Sequence, residues 1–338
     1  MKIKMKDIAN MAGVSETTVS LVLNNKESRI SKKKQDEIKE LAKKYHYRPN
    51  MSARGLASRK TNMIGLVIPD IENSFFAQLA KNIDLMLREK GYFLILTNSD
   101  DSQENEFQLI DQLINIGVDG LLITLSNESY SDKKKTIEKL NELTVPYVLM
   151  DRNLPELACK QVYYDNVLGG YLATKMLLDA GHKNIGFIKA SSEIENANDR
   201  WLGYQKAMKE NKIKINEDWV ATGNYRVQGG YDAATQILEN QEITGVAVAN
   251  DMMALGFIKK VKEQQLEIPE DISIVGYDHS EILEAMIMPL SSIIQDSDKL
   301  AEESVSLLIG EIDGSIKGNE KRVLTPEIFA GNSVKKYI

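Results

Sequence analysis

Polar, charged and aromatic side chains recur at one kind of place in this chain, just beyond short apolar runs. Asp70, Asn73, Phe75 and Phe76 follow MIGLVI, Asp151 and Arg152 follow YVLM, Asn250 and Asp251 follow GVAVA, Asp278 ends ISIVGYD, and Gln295 follows SSII. Carboxylates and amides accept hydrogen bonds from hydroxyls, an arginine donates a planar fork, and aromatic faces cover C–H surfaces, so these types suit a neutral sugar. Singly, each reads as a helix cap or loop residue, and Asp251, directly ahead of a helical pattern, is expected to be a cap. For catalysis the nearest approach is Asp278 beside His279, with no paired nucleophile, so the chain does not read as an enzyme. The single cysteine, Cys159, excludes an internal disulfide, and no Cys/His cluster has metal-ligand spacing. His46, His182 and His279 read as surface or packing residues, and no metal or cofactor is expected.

The elements that must position the polar set begin at Met63. Strands are expected at 63–68, 92–97, 120–124 and 147–151, alternating with helices at 75–90, 103–116 and near 131–143. The unit then repeats: QVYYD, a helix at 167–180, a strand at 184–188, a helix at 199–210, a short strand near Trp219, a helix at 229–239, a strand at 245–250, a helix at 252–264 and a strand at 272–278. Short apolar strands alternating with amphipathic helices predict doubly wound parallel sheets. Two such lobes in tandem imply a cleft, and in open α/β sheets ligands bind beyond the carboxyl ends of the strands. SSIIQ is expected to cross back into the first lobe, ahead of a helix at 298–310, and VLTPEIFAGNSV to return to the second, giving three crossovers able to act as a hinge.

Ahead of this core lies a different kind of sequence. Residues 1–60 carry 15 Lys+Arg against 6 Asp+Glu, a net +9, whereas residues 61–338 carry 27 against 43, a net −16. A phosphate-contacting module on an acidic body has this asymmetry. In KDIANMAGVSETTVSLVLNN, Ile8, Ala9 and Ala12 share one helical face and Val19, Val22 and Leu23 another, with Gly13 at the turn and Ser15 placed to cap the second helix. That is a helix-turn-helix. A third helix, capped by Ser31, carries Ile38, Leu41, Ala42 and Tyr45 on one face and lysines on the other.

MKDIANMAGVSETTVSLVLNN followed by YRPNMSARGLAS resembles the head and hinge of the lac/gal repressor family of bacterial transcription regulators, and the likeness extends over nearly the whole chain. The resemblance implies an all-α helix-turn-helix head at 1–48, a hinge helix or linker at 49–61, and a core at 62–338 of two doubly wound lobes like those of periplasmic binding proteins. Lobe 1 is expected at about 62–160 and 292–323, lobe 2 at 161–291 and 324–338. It also implies base contacts from Glu16, Thr17, Ser20 and Leu21, phosphate contacts from Lys6, Ser15, Thr18 and Ser31, and further DNA contacts from Asn24, Asn50 and Ala53. Leu56 matches the leucine that the family wedges between base pairs of the minor groove. Without the resemblance residues 50–60 read as a plain linker, and Glu16 reads equally as a helix-dipole partner. Leu21 departs from the arginine common in TVSRVLN, which removes a guanine contact.

The second half also resembles the ribose-type sugar-binding proteins and repressors. Carried over position by position, the likeness implies an effector site of Asn73, Phe75, Phe76, Asp151, Arg152, Arg200 in NDRWLGY, Tyr225, Asn250, Asp278 and Gln295, with Ser74 departing from a common proline. The implied protein is a homodimeric repressor of a sugar-utilisation operon. It would bind double-stranded operator DNA and respond to a small, pentose-like sugar. RPNMSARGLASRKT resembles, in addition, the global catabolite-control regulators of Gram-positive bacteria, which implies as alternative a phosphorylated carrier protein or small co-repressor. MKIKMKDIAN has no apolar h-region and no run of about 18 apolar residues occurs, so a cytoplasmic protein without membrane contact is expected, and an exported sugar-binding protein is disfavoured.

Overall fold

The computed structural model describes residues 3–23, 30–47, 60–190, 195–280 and 288–337. The chain divides into two compact units, Met1–Thr61 and Asn62–Ile338. In the first, helices α1 (Met5–Ala12), α2 (Glu16–Leu23) and α3 (Lys32–Lys44) pack around Ile8, Ala9, Ala12, Val19, Val22 and Ile38. Gly13 closes α1 in the left-handed region at φ 63°, where a Cβ would be strained, and the Val14 amide returns to the Ala9 carbonyl. The Ser15 hydroxyl accepts from the Thr18 amide at 3.2 Å, which is the expected cap of α2. Two details of α3 differ from expectation. Ser31 stands at its N-cap without a side-chain cap bond, its carbonyl alone serving the first turn, and Tyr45 is the exposed C-cap residue while Tyr47 packs against the core. Asn24, Asn50, Ala53 and Leu56, and with them the expected hinge helix, lie outside the described residues.

The second unit holds two six-stranded sheets. The first has the order β11 (Lys321–Leu324), β5 (Lys160–Tyr164), β4 (Tyr147–Met150), β3 (Gly120–Ile123), β1 (Met63–Ile68), β2 (Phe93–Asn98), all parallel. The second runs β12 (Glu327–Phe329), β10 (Ser291–Ile294), β9 (Ser273–Asp278), β8 (Gly245–Val248), β6 (Ile185–Lys189), β7 (Val220–Thr222), parallel except for the β10–β12 pair. Central strands such as β3, β8 and β9 are buried along their full length, as sheets covered by helices on both faces require. The expected helix near 131–143 is two helices, Glu128–Ser131 and Lys133–Asn141, because Asp132 breaks off the first and caps the second through the Lys135 amide.

Pairing also moves the lobe boundaries. QVYYD was expected to open the second lobe, but β5 lies between β4 and β11 in the first sheet, with Val148 opposite Lys160 and Tyr164 opposite Leu324. Residues 292–294 were expected in the first lobe, yet β10 runs beside β9, Ser291 opposite Val275 and Ile294 opposite Asp278. The chain therefore crosses between lobes three times, after Tyr164, after Ile294 and after Leu324. Among the described residues no helix is long and apolar enough to cross a membrane.

In the second lobe, the helices Asn166–Asp179 and Glu195–Glu210 approach so closely that a Cβ on Gly170 would stand 2.1 Å from the Arg200 carbonyl oxygen, and one on Gly203 would stand 2.2 Å from that of Val167. These backbones can only meet through glycine. We expect Gly203→Ala to lower core stability by about 1–3 kcal/mol, as overpacking does. Urea unfolding checks this, and an unchanged midpoint would show that the helices separate at no cost.

Candidate functional site

One small cavity of about 20 Å³ between the lobes is lined by Asn73, Phe75, Phe76, Asp151, Arg152, Asn196, Arg200, Tyr225, Asn250, Asp278 and Gln295. All ten residues expected from the sequence line it, and Asn196 joins them. Each reaches it for a local reason. Asn73 N-caps the helix Ser74–Glu89 by accepting from the Phe75 amide at 3.1 Å, and that first turn delivers Phe75 and Phe76, packed edge to face with centroids 5.3 Å apart. Asp151, at φ 64°, turns the chain sharply past β4 and is followed by Arg152, whose Nη1 donates to Asp101 Oδ1 at 3.1 Å and to the Leu125 carbonyl at 2.8 Å.

From the other lobe, Arg200 donates through Nε to Asn166 Oδ1 at 2.8 Å and through Nη1 to the Ala249 carbonyl at 2.5 Å. Its guanidinium carbon lies 3.7 Å from the centroid of the Tyr277 ring, whose hydroxyl donates to the same Asn166 oxygen at 3.1 Å. Tyr225, at φ 65°, presents its ring to both arginines at 5.8 Å and donates to Asn196 Oδ1 at 3.3 Å. Asn250 is the cap of the helix Asp251–Glu263, accepting from the Met253 amide, while its own amide donates to the Tyr225 carbonyl. Asp251, expected to be the cap, is instead buried behind the site. Its carboxylate accepts from the amides of Tyr277 and Ser280 and from the hydroxyls of Ser280 and Ser292, at 2.8–3.0 Å. Gln295 donates to Asp278 Oδ1 at 2.8 Å.

The site holds both signs of charge: Arg152 and Arg200 face Asp151 and Asp278 in the cavity, and Asp101 behind its wall pairs with Arg152. Burial pushes the carboxyls of Asp151 and Asp278 up, and neighbouring guanidinium groups oppose that rise. Three buried polar atoms on the lining, Asp151 Oδ1, Arg152 Nε and Gln295 Oε1, have no hydrogen-bond partner. An unpaired buried group costs about 1–3 kcal/mol, which two donors and one acceptor on a ligand would recover. Behind Arg152, Glu106 accepts from the Ser126 amide at 2.5 Å and the Ser129 hydroxyl at 2.7 Å, and burial pushes its carboxyl up to about 7.

Sequence reasoning missed Asn196, which stands one helical turn before Arg200 on the same face, and the supports Asp101, Asn166 and Tyr277. The i, i+4 relation to Arg200 could have found Asn196. Asp70, noted with the strand-end set, is turned away from the cavity toward Arg226, 3.3 Å from its Nε. His182 is a packing residue, its ring nitrogens bonded to the Thr244 hydroxyl and the Lys335 carbonyl. Among the described residues no group of His, Cys, Asp and Glu could hold a metal ion.

On the head, Lys6, Ser15, Glu16, Thr17 and Ser31 are exposed, and Thr18, Ser20 and Leu21 are half-buried on α2 beside the core residues Val19 and Val22. This leaves one face of α2 outward, as a helix that enters a DNA groove requires.

Known proteins divide the chain in the same way. The model for bacterial regulatory proteins of the lacI family matches residues 4–50, and a periplasmic binding protein domain matches residues 64–315. The chain is 33% identical over 332 residues to the transcriptional repressor PurR of Histophilus somni, covering 98% of each. A LacI family transcriptional regulator from Enterococcus faecium, solved with bound ribose, is 29% identical and superposes with a TM-score of 0.73 over 82% of this chain and 100% of that one. The lac repressor dimer bound to operator and an anti-inducer shares the fold at 24% identity, with a TM-score of 0.86 over 99% and 100% of the two chains. At this identity and coverage the chain belongs to the lacI family of bacterial transcriptional regulators, and it is a DNA-binding repressor with a ligand-binding core rather than an enzyme.

Proposed function

We propose that the effector is a neutral, pentose-like sugar held in the cavity between the lobes, and that its binding releases the repressor from the operator of a sugar-utilisation operon. The observation that carries this reading is the cavity itself, which pairs two arginines with two carboxylates and leaves Asp151 Oδ1, Gln295 Oε1 and Arg152 Nε unsatisfied among the rings of Phe75, Phe76 and Tyr225. The cavity is about 20 Å³, room for about one water, so on this reading the lobes part to admit the sugar and close around it. The ribose-bound regulator from Enterococcus faecium supports the same class.

On DNA, two heads of a homodimer lie on a pseudopalindromic operator. Glu16, Thr17, Ser20 and Leu21 read base edges. Lys6, Ser15, Thr18 and Ser31 hold phosphates, Asn24, Asn50 and Ala53 add contacts, and Leu56 wedges into the minor groove. The sugar favours a closed core that is incompatible with this arrangement. A preference of about 1–3 kcal/mol for the released state gives 5- to 150-fold derepression.

D-ribose at a hundred times its Kd should stabilise the protein by about 2.7 kcal/mol, seen as a saturable rise in Tm of several degrees. Asp151→Asn keeps shape and tolerates the left-handed backbone but loses an acceptor, so ribose affinity should fall roughly 10- to 100-fold. No shift with any monosaccharide, together with operator binding that appears only beside a phosphorylated carrier protein, would overturn the sugar reading in favour of co-repression. For the head, Leu56→Ala should weaken binding to an operator selected from random DNA far more than binding to nonspecific DNA. Equal losses on both would remove the wedge.

A further inference from the structure

Tyr225 faces the cavity, and the next residue, Arg226, reaches out of it to the opposite lobe. Arg226 Nη2 donates to Asp100 Oδ1 at 2.8 Å, and Nε stands 3.3 Å from Asp70 Oδ2. Asp70 lies just past β1 and Asp100 just past β2, so both carboxylates belong to the first sheet's strand ends. Asp100 and Asp101 take consecutive left-handed conformations, φ 53° and 57°, which aspartate tolerates better than most residues with a Cβ. That turn sends the two carboxylates to different arginines, Asp100 to Arg226 across the cleft and Asp101 to Arg152 in the cavity wall. The ring closes through Tyr225, which lies 5.8 Å from the Arg152 guanidinium carbon.

We propose that Arg226 is a positioning residue that latches the cleft shut: paired with Asp70 and Asp100 of the other lobe, it holds Tyr225 against Arg152 and makes the binding of an uncharged effector depend on ionic strength. This rests on the effector reading given above. The Arg226 side chain is 41% exposed, that of Asp100 67% and that of Asp70 14%, so salt screens the Asp100 pair more than the Asp70 pair. A neutral sugar contributes no charge of its own to that dependence, so any salt effect on its affinity reports on the protein.

The test uses the full-length protein with D-ribose as probe, titrated calorimetrically at about 20 mM and about 500 mM KCl, well either side of physiological screening. The parent should lose about two- to fivefold in affinity at high salt, the range of one exposed ion pair. Arg226→Gln should be weaker by the same factor at low salt and flat with salt, and Arg226→Lys should restore most of the slope. In parallel, nitroxides on Glu104→Cys and Lys206→Cys, exposed positions on opposite lobes, report closure without sugar. The short-distance population should fall with salt in the parent and be low at all salt in Arg226→Gln. Equal affinities and equal distance distributions for parent and Arg226→Gln would overturn the latch. If the parent binds no ribose the effector reading fails by itself, and the label distances still decide the latch.

Discussion

Arg152 and Arg200 are each 3% exposed, and they face the same small cavity. Removing a guanidinium from water costs several kcal/mol unless charge and hydrogen bonds are returned to it. Much of the surrounding architecture supplies that return. Arg152 has Asp101 and the Leu125 carbonyl, and Arg200 has Asn166, the Ala249 carbonyl and the face of Tyr277, with Asp278 4.0 Å away. The partners of Arg152 come from the ends of β2 and β3, and those of Arg200 from the ends of β8 and β9 and one helix start, so each arginine is held by its own lobe. The same requirement explains Asp251. Its four accepted hydrogen bonds tie the end of β9 to β10 and so fix where Asp278 and Gln295 stand.

The backbone is bent to the same end. Asp101, Asp151, Tyr225 and Asp278 all have positive φ, from 57° to 103°. Each is disfavoured by roughly 1–2 kcal/mol for a residue with a Cβ. Three of the four line the cavity, and the fourth holds Arg152. Aspartate shares asparagine's tolerance of this region, so Tyr225 is the costly member of the four. Carboxylates and an aromatic ring persist because the side chain is needed where the turn puts it.

How much of this was legible follows from what parallel sheets do. Every strand of a parallel sheet ends on the same edge, so Asn73, Asp151, Asn250, Asp278 and Gln295, found by reading past apolar runs, had to lie on neighbouring edges once the strand pattern was right. Arg200 and Tyr225 came only from family likeness, since one sits within a helix and the other in a loop after the short β7. Asn196 escaped because its one mark in NANDR is the spacing of four from Arg200, which itself came from likeness. The lobe boundaries were misplaced at β5 and β10 for a related reason. An apolar run such as QVYY or SSII records burial, but not which sheet provides the neighbour, and only hydrogen-bond register settles that. In the head, glycine at 13 and serine at 15 carried the geometry directly, because φ and cap chemistry are local.

The crossings determine what kind of motion the core can make. All three are very short, and two of them run straight into a capped helix. Asp165 follows β5 and caps the helix Asn166–Asp179 through the Leu168 amide, and Asp296 comes two residues after β10 and caps the helix Ser297–Asp313 through the amides of Asp298 and Lys299. A strand joined to a capped helix has few free torsions. The Tyr164 hydroxyl donates to the Asp296 carbonyl at 2.9 Å, binding these two crossings to each other. Sliding of one lobe over the other would break that bond and both caps. Rotation about the line they define breaks none of them, so the connections favour hinge over shear motion. Gln295 lies on that line, between β10 and the Asp296 cap, with its side-chain oxygen unpaired in the cavity. Under the proposed sugar reading, a hydroxyl that satisfied Gln295 would bond directly to one of the crossings on which lobe rotation turns.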